Sequence, residues 1–193
     1  MRICVYGASS STLEKVYYEE AERLGEMLAE KGHGIVFGGG REGLMGAIAR
    51  GVNKKDGEII GIAPKFFDEP GILYENCTEM VYTETMRERK QLMEEKSDAC
   101  IVLPGGIGTF EEFFEMLTLK QLGRSERAIV ILNTKGYYEN MQALLEHTAA
   151  NGFMSKNCLA LYSLANSPEE ALSALENYVP RTGNLTRLSD YNK

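Results

Sequence analysis

Apolar residues occur in two alternating patterns along most of this chain. Short apolar runs, such as 34–37, end in small-residue turns and are typical of buried strands. Between these runs, apolar residues recur every third or fourth position, as they do from Leu13 to Leu28 before Lys31 and Gly32 interrupt the repeat. Strands that alternate with helices at this pace predict an α/β fold, a Rossmann-like doubly wound parallel sheet with helices on both faces and right-handed crossovers.

The predicted elements extend from the first residues to about Tyr178. Ser167 is the expected N-cap of the last helix, with Pro168 in its first turn. The polar stretch 68–76 is predicted to be a loop long enough to fold over a site. The predicted strands are 2–6, 34–37, 58–63, 80–82, 99–103, 128–132 and 159–164, and the predicted helices are 13–31, 44–52, 85–96, 109–122, 137–151 and 167–178.

Chain length and the unbroken pattern indicate one domain. With 193 residues, 44% of them hydrophobic, the chain can bury a sizeable core. No internal repeat, linker or low-complexity segment divides the sequence. We therefore predict a single Rossmann-like domain over residues 1–180 and a polar C-terminal tail over 181–193.

Charge and cysteine content narrow the classes of partner. A formal net charge of −7 disfavours nucleic acid and anionic membranes, which need a basic surface. The four cysteines form no C-x-x-C pair, and with two histidines no zinc-ligand spacing can be assembled, so we expect no metal site. The first apolar run is too short for a signal peptide and no segment approaches a membrane span, so we predict a cytoplasmic protein without a membrane partner.

The turn between the strand 99–103 and the helix 109–122 is almost bare backbone. Gly105, Gly106 and Gly108 have no side chains, so backbone N–H groups there can approach a ligand closely. The helix that follows adds its unsatisfied N–H groups and the positive end of its dipole. This combination is typical of an anion site, and phosphate is its natural ligand.

Two other small-residue turns, 7–11 and 38–40, also follow predicted strands. Ligands of parallel sheets bind at the carboxyl ends of the strands. We therefore expect Ser9, Gly39 and Gly40 to line the same cleft as the glycine turn.

Residues 38–43 formally match G-x-G-x-x-G, and Glu58 lies near the distance expected of a ribose-binding acid. The match follows the second strand, however, and a triple glycine fits this pattern easily. A mononucleotide-lining turn, a dinucleotide site and a purely structural turn remain open. The chain has no P-loop pattern, which argues against that type of ATPase or kinase.

Arg89 interrupts the apolar face of the helix 85–96. At about 100° per residue, apolar residues including Leu92 and Met93 define an arc, and Arg89 falls in its middle. Burying a guanidinium is costly unless an anion compensates, so Arg89 is expected to face a phosphate or carboxylate in the cleft rather than solvent. Lys90 flanks the arc and either adds a second positive contact or extends to solvent.

Two glutamates follow the glycine turn. Glu111 shares a polar strip with Glu115, whereas Glu112 shares its face with Met116 and Leu119. Partial desolvation would raise the pKa of Glu112 and suit it to proton transfer. The alternative is that both carboxylates merely favour the positive end of the helix.

The spacing Pro-Gly-Gly-x-Gly-Thr-x-x-Glu over 104–112 resembles the signature of the Lonely Guy family, the cytokinin riboside 5'-monophosphate phosphoribohydrolases, many of which were once labelled possible lysine decarboxylases. Further similar segments are 2–7, 38–40, 43–46, 86–90, 132–133 and 136–138. The resemblance implies a nucleotide-binding domain that hydrolyses the N-glycosidic bond of (N6-modified) purine nucleoside 5'-monophosphates. The products would be free base, cytokinin or adenine, and ribose 5-phosphate, and no cofactor is required.

The family's motifs also imply roles for single residues. Arg89 and Glu112 match its catalytic arginine and glutamate. Ile107 stands where tyrosine is commoner, residues 6–8 replace Phe-Cys-Gly and residues 85–87 replace Asp-Met-His, which leaves the base preference open. The residues expected to bind substrate are Ser9, Gly39, Gly40, Lys90, Gly105, Gly106, Ile107, Gly108, Thr109, Phe110, Glu111 and Thr118.

Two other functions and an assembly state complete these expectations. A carrier, as in the related molybdenum-cofactor carrier proteins, would hold a nucleotide-like ligand without turnover, but the presence of Arg89 and Glu112 favours the enzyme. An NAD oxidoreductase would rest only on the glycine match at 38–43. Since the helix 109–122 is apolar nearly all round and the family forms dimers, we also expect a homodimer.

Overall fold

The computed structural model describes residues 1–180, so the predicted tail 181–193 lies outside the described residues. The strands are β1 (Arg2–Tyr6), β2 (Gly34–Phe37), β3 (Ile59–Pro64), β4 (Glu79–Thr83), β5 (Ala99–Val102), β6 (Ala128–Leu132) and β7 (Ser163–Ala165). The helices are α1 (Lys15–Glu30), α2 (Gly43–Asn53), α3 (Met86–Glu95), α4 (Ile107–Gln121), α5 (Glu139–Ala150) and α6 (Pro168–Glu176). None of these helices is long and apolar enough to cross a membrane.

These strands form one parallel sheet in the order β4-β3-β2-β1-β5-β6-β7. The chain steps outward from β1 to β4, then returns to the centre and continues from β5 on the other side. Tyr6 at the end of β1 pairs in register with Val102 of β5. The carboxyl ends of β1 and β5 therefore form the switch point at which such sheets bind ligands. The predicted fold class is confirmed.

Helices cover both faces of the sheet, because successive residues of a strand point to opposite sides. On one side, Ile3 and Val5 of β1 pack in a cluster with apolar residues of α1, α2 and α6. On the other side, Cys4 and Tyr6 pack with Phe113 of α4 and with apolar residues of α3 and α5. The helix that follows the glycine turn thus lies on the same face as α3.

Most predicted elements differ from the structure by one or two residues at an end, and the strand predicted at 159–164 differs by four at its start. Helix α4 begins at Ile107 rather than 109, because Gly106 serves as its N-cap. The predicted helix 137–151 begins at Glu139, since Tyr138, with φ −95° and ψ 6°, serves as its N-cap. The predicted strand 159–164 starts only at Ser163, after a short 3₁₀ turn.

Helices α1 and α2 touch through two glycines. A Cβ on Gly51 would lie 1.9 Å from the carbonyl oxygen of Glu22, and a Cβ on Gly25 would lie 2.3 Å from that of Ile48. Backbone atoms of packed helices cannot move aside as the ends of flexible side chains do. Both positions therefore exclude a side chain, and this contact fixes α2 against α1.

We predict that Gly51→Ala lowers the free energy of unfolding by about 1–3 kcal/mol, because the added methyl group overpacks the helix contact. Gly108→Ala is the matched control, since it is also a glycine in a helix but a Cβ there meets nothing within 4 Å. Its expected effect is neutral or stabilising, by up to about 1 kcal/mol of helix propensity. Urea unfolding measures both free energies, and equal effects of the two substitutions would show that the contact between α1 and α2 tolerates a side chain at position 51.

Candidate active site

The glycine turn between β5 and α4 presents its backbone at the carboxyl edge of the sheet. A Cβ on Gly105 would lie 2.1 Å from Oγ1 of Thr109, so Thr109 packs under the turn. On the outer side, a Cβ on Gly106 or Gly108 would meet no heavy atom of the described chain within 4 Å. The N–H of Phe110 donates to the Gly106 carbonyl at 3.0 Å, so the N–H groups before it are left for a ligand.

Two consecutive tyrosines hold this turn from behind. The Tyr138 hydroxyl, which is buried, donates to the Leu103 carbonyl at 2.7 Å, and the Tyr137 hydroxyl donates to the Gly105 carbonyl at 2.7 Å. The Tyr138 ring also packs edge-on against Phe110 at 5.9 Å between centroids. Both tyrosines belong to a segment that resembles the family, but the sequence pattern gave no indication of this supporting role.

Backbone hydrogen bonds join the neighbouring turns into one surface. The N–H of Ala8 donates to the Pro104 carbonyl at 3.0 Å, and the N–H of Leu44 donates to the Ala8 carbonyl at 2.8 Å. Gly43 has a φ of +64°, and a Cβ there would lie 2.2 Å from the Ala8 carbonyl oxygen, so only glycine permits this approach. Ser9 is exposed at the rim of this surface.

The predicted loop after β3 lies against the triple-glycine turn. The Gly39 carbonyl accepts a hydrogen bond from the N–H of Tyr74 at 2.8 Å, and Gly40 forms an antiparallel bridge with Leu73. These contacts leave Gly39 and Gly40 at the carboxyl edge of β2. The loop therefore forms one wall at this edge of the sheet.

Arg89 and Glu112 meet in the interior between α3 and α4. The Arg89 side chain is 7% exposed and the Glu112 side chain 13%, and Nη1 of Arg89 lies 3.3 Å from Oε1 of Glu112. The Nε group of Arg89 donates to the Ile62 carbonyl at the end of β3, at 3.0 Å. The sequence expectation that Arg89 faces an anion is met by this carboxylate.

Glu112 has the electrostatic environment of a proton-transfer group. Burial raises the pKa of Glu112 to about 7, although the charge of Arg89 lowers it, and the neighbouring charge of Glu111 raises it further. Both protonation states of this carboxyl group are therefore populated near neutral pH. A carboxylate with such a pKa in a cleft is typical of a functional site.

Lys90 lies beside this pair and is held by two carboxylates. Its Nζ atom is 2.5 Å from Glu111 and 2.8 Å from Glu115. Burial alone lowers the pKa of Lys90, but the hydrogen bonds with Glu111 and Glu115 outweigh it, so the pKa is raised. Glu111 is more than half exposed and lies on the polar strip that the sequence indicated.

Within one chain, the structure does not bring Thr118 to the glycine turn. Thr118 lies nine residues beyond Thr109 along α4, about 13 Å at the rise of an α-helix. It is exposed, and its hydroxyl donates to the Phe114 carbonyl at 2.7 Å. Ile107 stands in the first turn of α4 with 88% of its surface exposed, whereas Phe110 is half-buried.

Comparison with known proteins identifies the family. The family model described as possible lysine decarboxylase matches residues 45–175, which is more than half of the chain. The cytokinin riboside 5'-monophosphate phosphoribohydrolase LOG2 of Arabidopsis thaliana is 36% identical over 180 residues, covering 93% of this chain and 84% of that protein. The cytokinin riboside 5'-monophosphate phosphoribohydrolase LOG1 of the same plant is 37% identical over 180 residues, covering 93% of this chain and 84% of that protein.

Solved structures add a likeness of fold. The molybdenum cofactor binding protein of Rippkaea orientalis superposes with a TM-score of 0.66 over 91% of this chain and 93% of that chain, at 19% identity. An identity this low supports the shared architecture alone. The classification rests on the match to the possible lysine decarboxylase model and on the two plant relatives. This chain belongs to the Lonely Guy family.

Proposed function

We propose that this protein hydrolyses the N-glycosidic bond of purine nucleoside 5'-monophosphates, including N6-modified ones, and releases the free base and ribose 5-phosphate. The observation that carries the proposal is the buried Arg89–Glu112 pair beside the open N-terminus of α4. The activity in the names of the two plant relatives supports the same reaction.

The site divides the chemistry between binding and charge stabilisation. The N–H groups at the start of α4 hold the 5'-phosphate, which places the ribose next to Glu112. Positive charge develops on the sugar as the bond from C1' to the base nitrogen breaks, and ionised Glu112 stabilises that charge. Water adds to C1' and gives a proton to Glu112, while the base leaves with the electron pair of the broken bond. Transfer of that proton from Glu112 to the base by way of water then completes the products and restores the carboxylate.

Arg89 orients the carboxylate in this proposal. Its guanidinium is held by the Ile62 carbonyl and contacts Glu112 at 3.3 Å, so the carboxylate has a fixed partner on one side. The positive charge also keeps the pKa of Glu112 lower than burial alone would set it, which preserves the ionised form near neutral pH.

A dinucleotide site in an oxidoreductase is disfavoured by the position of Glu58. Glu58 directly precedes β3, at the amino edge of the sheet, opposite to the glycine turns. There it accepts two hydrogen bonds from the Arg2 side chain, at 2.8 and 2.9 Å. The sequence hypothesis that Glu58 could bind a ribose is therefore wrong, because the acid lies at the wrong end of its strand.

A lysine decarboxylase is disfavoured by the state of Lys90. A Schiff-base lysine needs a neutral amine, and nearby carboxylates oppose that state. Lys90 is instead held as a cation by Glu111 and Glu115, which raise its pKa.

A carrier that only holds a nucleotide-like ligand would not require a buried carboxylate whose pKa lies near neutrality. The buried Glu112 therefore favours the enzyme over the carrier.

We also propose a homodimer formed through α4, in the cytoplasm. Three apolar residues of α4 and its end are exposed, Ile107 by 88%, Phe114 by 37% and Leu122 by 49%. At about 100° per residue they share one face of the helix with Thr118. A partner copy that covers this face would bring Thr118 near a second chain.

The proposed location in the cytoplasm is supported by the cysteines. Those among residues 1–180 are free thiols, which fit a reducing compartment.

The reaction itself is tested with AMP, GMP, CMP and N6-isopentenyl-AMP, with the released base followed by chromatography. We expect base release from the purine nucleotides, and a kcat lower by about 10²-fold or more in Glu112→Gln with little change in KM, because the variant keeps its size but loses its charge. Tight AMP binding without base release from any nucleotide would favour the carrier.

Glu111→Gln is the control for this substitution. Glu111 is adjacent to Glu112 but more than half exposed. The kcat of Glu111→Gln is therefore expected to stay within a few-fold of wild type. If Glu111→Gln loses turnover while Glu112→Gln keeps it, the assignment of the carboxylate is wrong.

The rate is expected to depend on pH through Glu112. Because the reaction needs the ionised carboxylate and its pKa is raised to about 7, kcat should increase as pH rises through about 7 and level off above it. A pH–rate profile from about pH 5 to 9 measures this limb. A flat wild-type profile across neutrality would contradict the role of Glu112.

The dimer is tested by light scattering at micromolar concentration. We expect twice the chain mass of 21.5 kDa for wild type, and the mass of a single chain for Phe114→Glu, because a charge on the exposed α4 face opposes its burial. Leu144→Glu is the control, since Leu144 is 59% exposed on α5 and should leave the dimer intact. A wild-type mass of 21.5 kDa would refute the proposal.

A further inference from the structure

Gly38, which directly follows β2, lies against the guanidinium of Arg89. A Cβ on Gly38 would be 1.8 Å from Nη2, 2.9 Å from Cζ and 3.4 Å from Nε of Arg89, and these are its three nearest heavy atoms. The nearest atoms to a Cβ on Gly39 or Gly40 belong to apolar side chains instead. Of the three glycines, the first alone adjoins Arg89.

Backbone conformation does not explain a glycine at this position. The φ of Gly38 lies outside the positive region, so an alanine could adopt the same backbone angles. What excludes a side chain is the space that the guanidinium occupies. Because Gly38 is buried between the ends of β1 and β3, Arg89 fills this space from inside the protein.

We propose that Gly38 is a positioning residue for the reaction, because its bare Cα seats the guanidinium of Arg89 where it can bond both the Ile62 carbonyl and Glu112; this inference rests on the proposed function. An ordinary contact needs at least 3.4 Å, so a methyl group at position 38 displaces Nη2 by more than 1 Å. The contact of Nη1 with Glu112, at 3.3 Å, is already long for a hydrogen bond and is lost by such a displacement.

Displacing Arg89 changes the charges that face Glu112. Helix α3 contributes the charges of Arg89 and Lys90, and α4 contributes that of Glu111. The central strands add the Tyr6 hydroxyl and the Cys100 thiol, which are neutral near pH 7 because the pKa of each is raised. Among these groups Arg89 is the one that most lowers the pKa of Glu112. Without its charge in place, burial and Glu111 raise that pKa above about 7.

The first test titrates Glu112 without using the reaction. Carbon-13 NMR of the glutamate carboxyl groups follows the protein across pH, and Glu112→Gln identifies the signal. We expect Gly38→Ala to raise the midpoint of Glu112 by roughly one pH unit. Gly40→Ala is the matched control, since a Cβ there is 2.9 Å from the flexible end of Met45, and its Glu112 midpoint should match wild type. Equal midpoints in wild type and Gly38→Ala overturn the proposal.

A double-mutant cycle supplies the kinetic test. We expect Gly38→Ala to lower kcat by roughly 10-fold or more at pH 7, and to move the acidic limb of the pH–rate profile upward. In an Arg89→Lys background the colliding Nη2 atom is gone, so adding Gly38→Ala should change kcat by less than about 3-fold. An equal loss in both backgrounds indicates a merely structural role and overturns the proposal.

The same variants distinguish a failure of this proposal from a folding defect and from a failure of the proposed reaction. If Gly38→Ala folds poorly, the double variant with Arg89→Lys is expected to unfold at the same temperature as Arg89→Lys alone. If the double variant unfolds at a lower temperature than Arg89→Lys alone, the proposal is overturned. If wild type releases no base, the proposed function fails, whereas the shift of the Glu112 midpoint in Gly38→Ala still decides whether Gly38 seats Arg89.

Discussion

The burial of Arg89 against Glu112 is the interaction on which the site depends. Removing a guanidinium from water is costly, and one carboxylate at 3.3 Å with a raised pKa compensates for it incompletely. The remaining compensation comes from the sheet, where the Ile62 carbonyl ends β3 and accepts from Nε. The pair can persist because α3 and α4 both pack on one face of a rigid parallel sheet, which fixes the distance between them.

This arrangement costs stability where it provides chemistry. Since the pKa of Glu112 is raised in the folded state, folding favours its protonated form, and its contribution to stability is lost as pH rises through about 7. The proposed reaction requires the ionised form, so in that proposal the protein works at the pH where this residue stabilises it least.

The fold class and the burial of Arg89 and Glu112 could be predicted from the sequence, because both depend on local patterns of apolar residues. The alternation of strand and helix gave the fold class, and the apolar neighbours of Glu112 and Arg89 on their helices indicated burial. Contacts between distant segments left no such signal. Tyr138 reaches Leu103 over 35 residues, and a bare glycine at 38 gives no sign of the side chain that packs on it. Helix α5 starts at Glu139 because Tyr138 serves as its N-cap, which the usual N-cap preferences do not indicate.

In the proposed function, an acidic chain holds a phosphate because the charges near the start of α4 differ from the net charge of the chain. The formal net charge is −7, and Glu111 lies in the second turn of the helix whose N-terminus would bind the anion. Lys90 is placed between Glu111 and Glu115, so these carboxylates are paired with a cation next to the proposed anion site. Phosphate binding in this proposal relies on backbone N–H groups, which carry no net charge. It should therefore depend less on ionic strength than binding to a basic surface. The ion pairs of Lys90 are with Glu111 and Glu115, whereas Arg89 is paired directly with the Glu112 carboxylate.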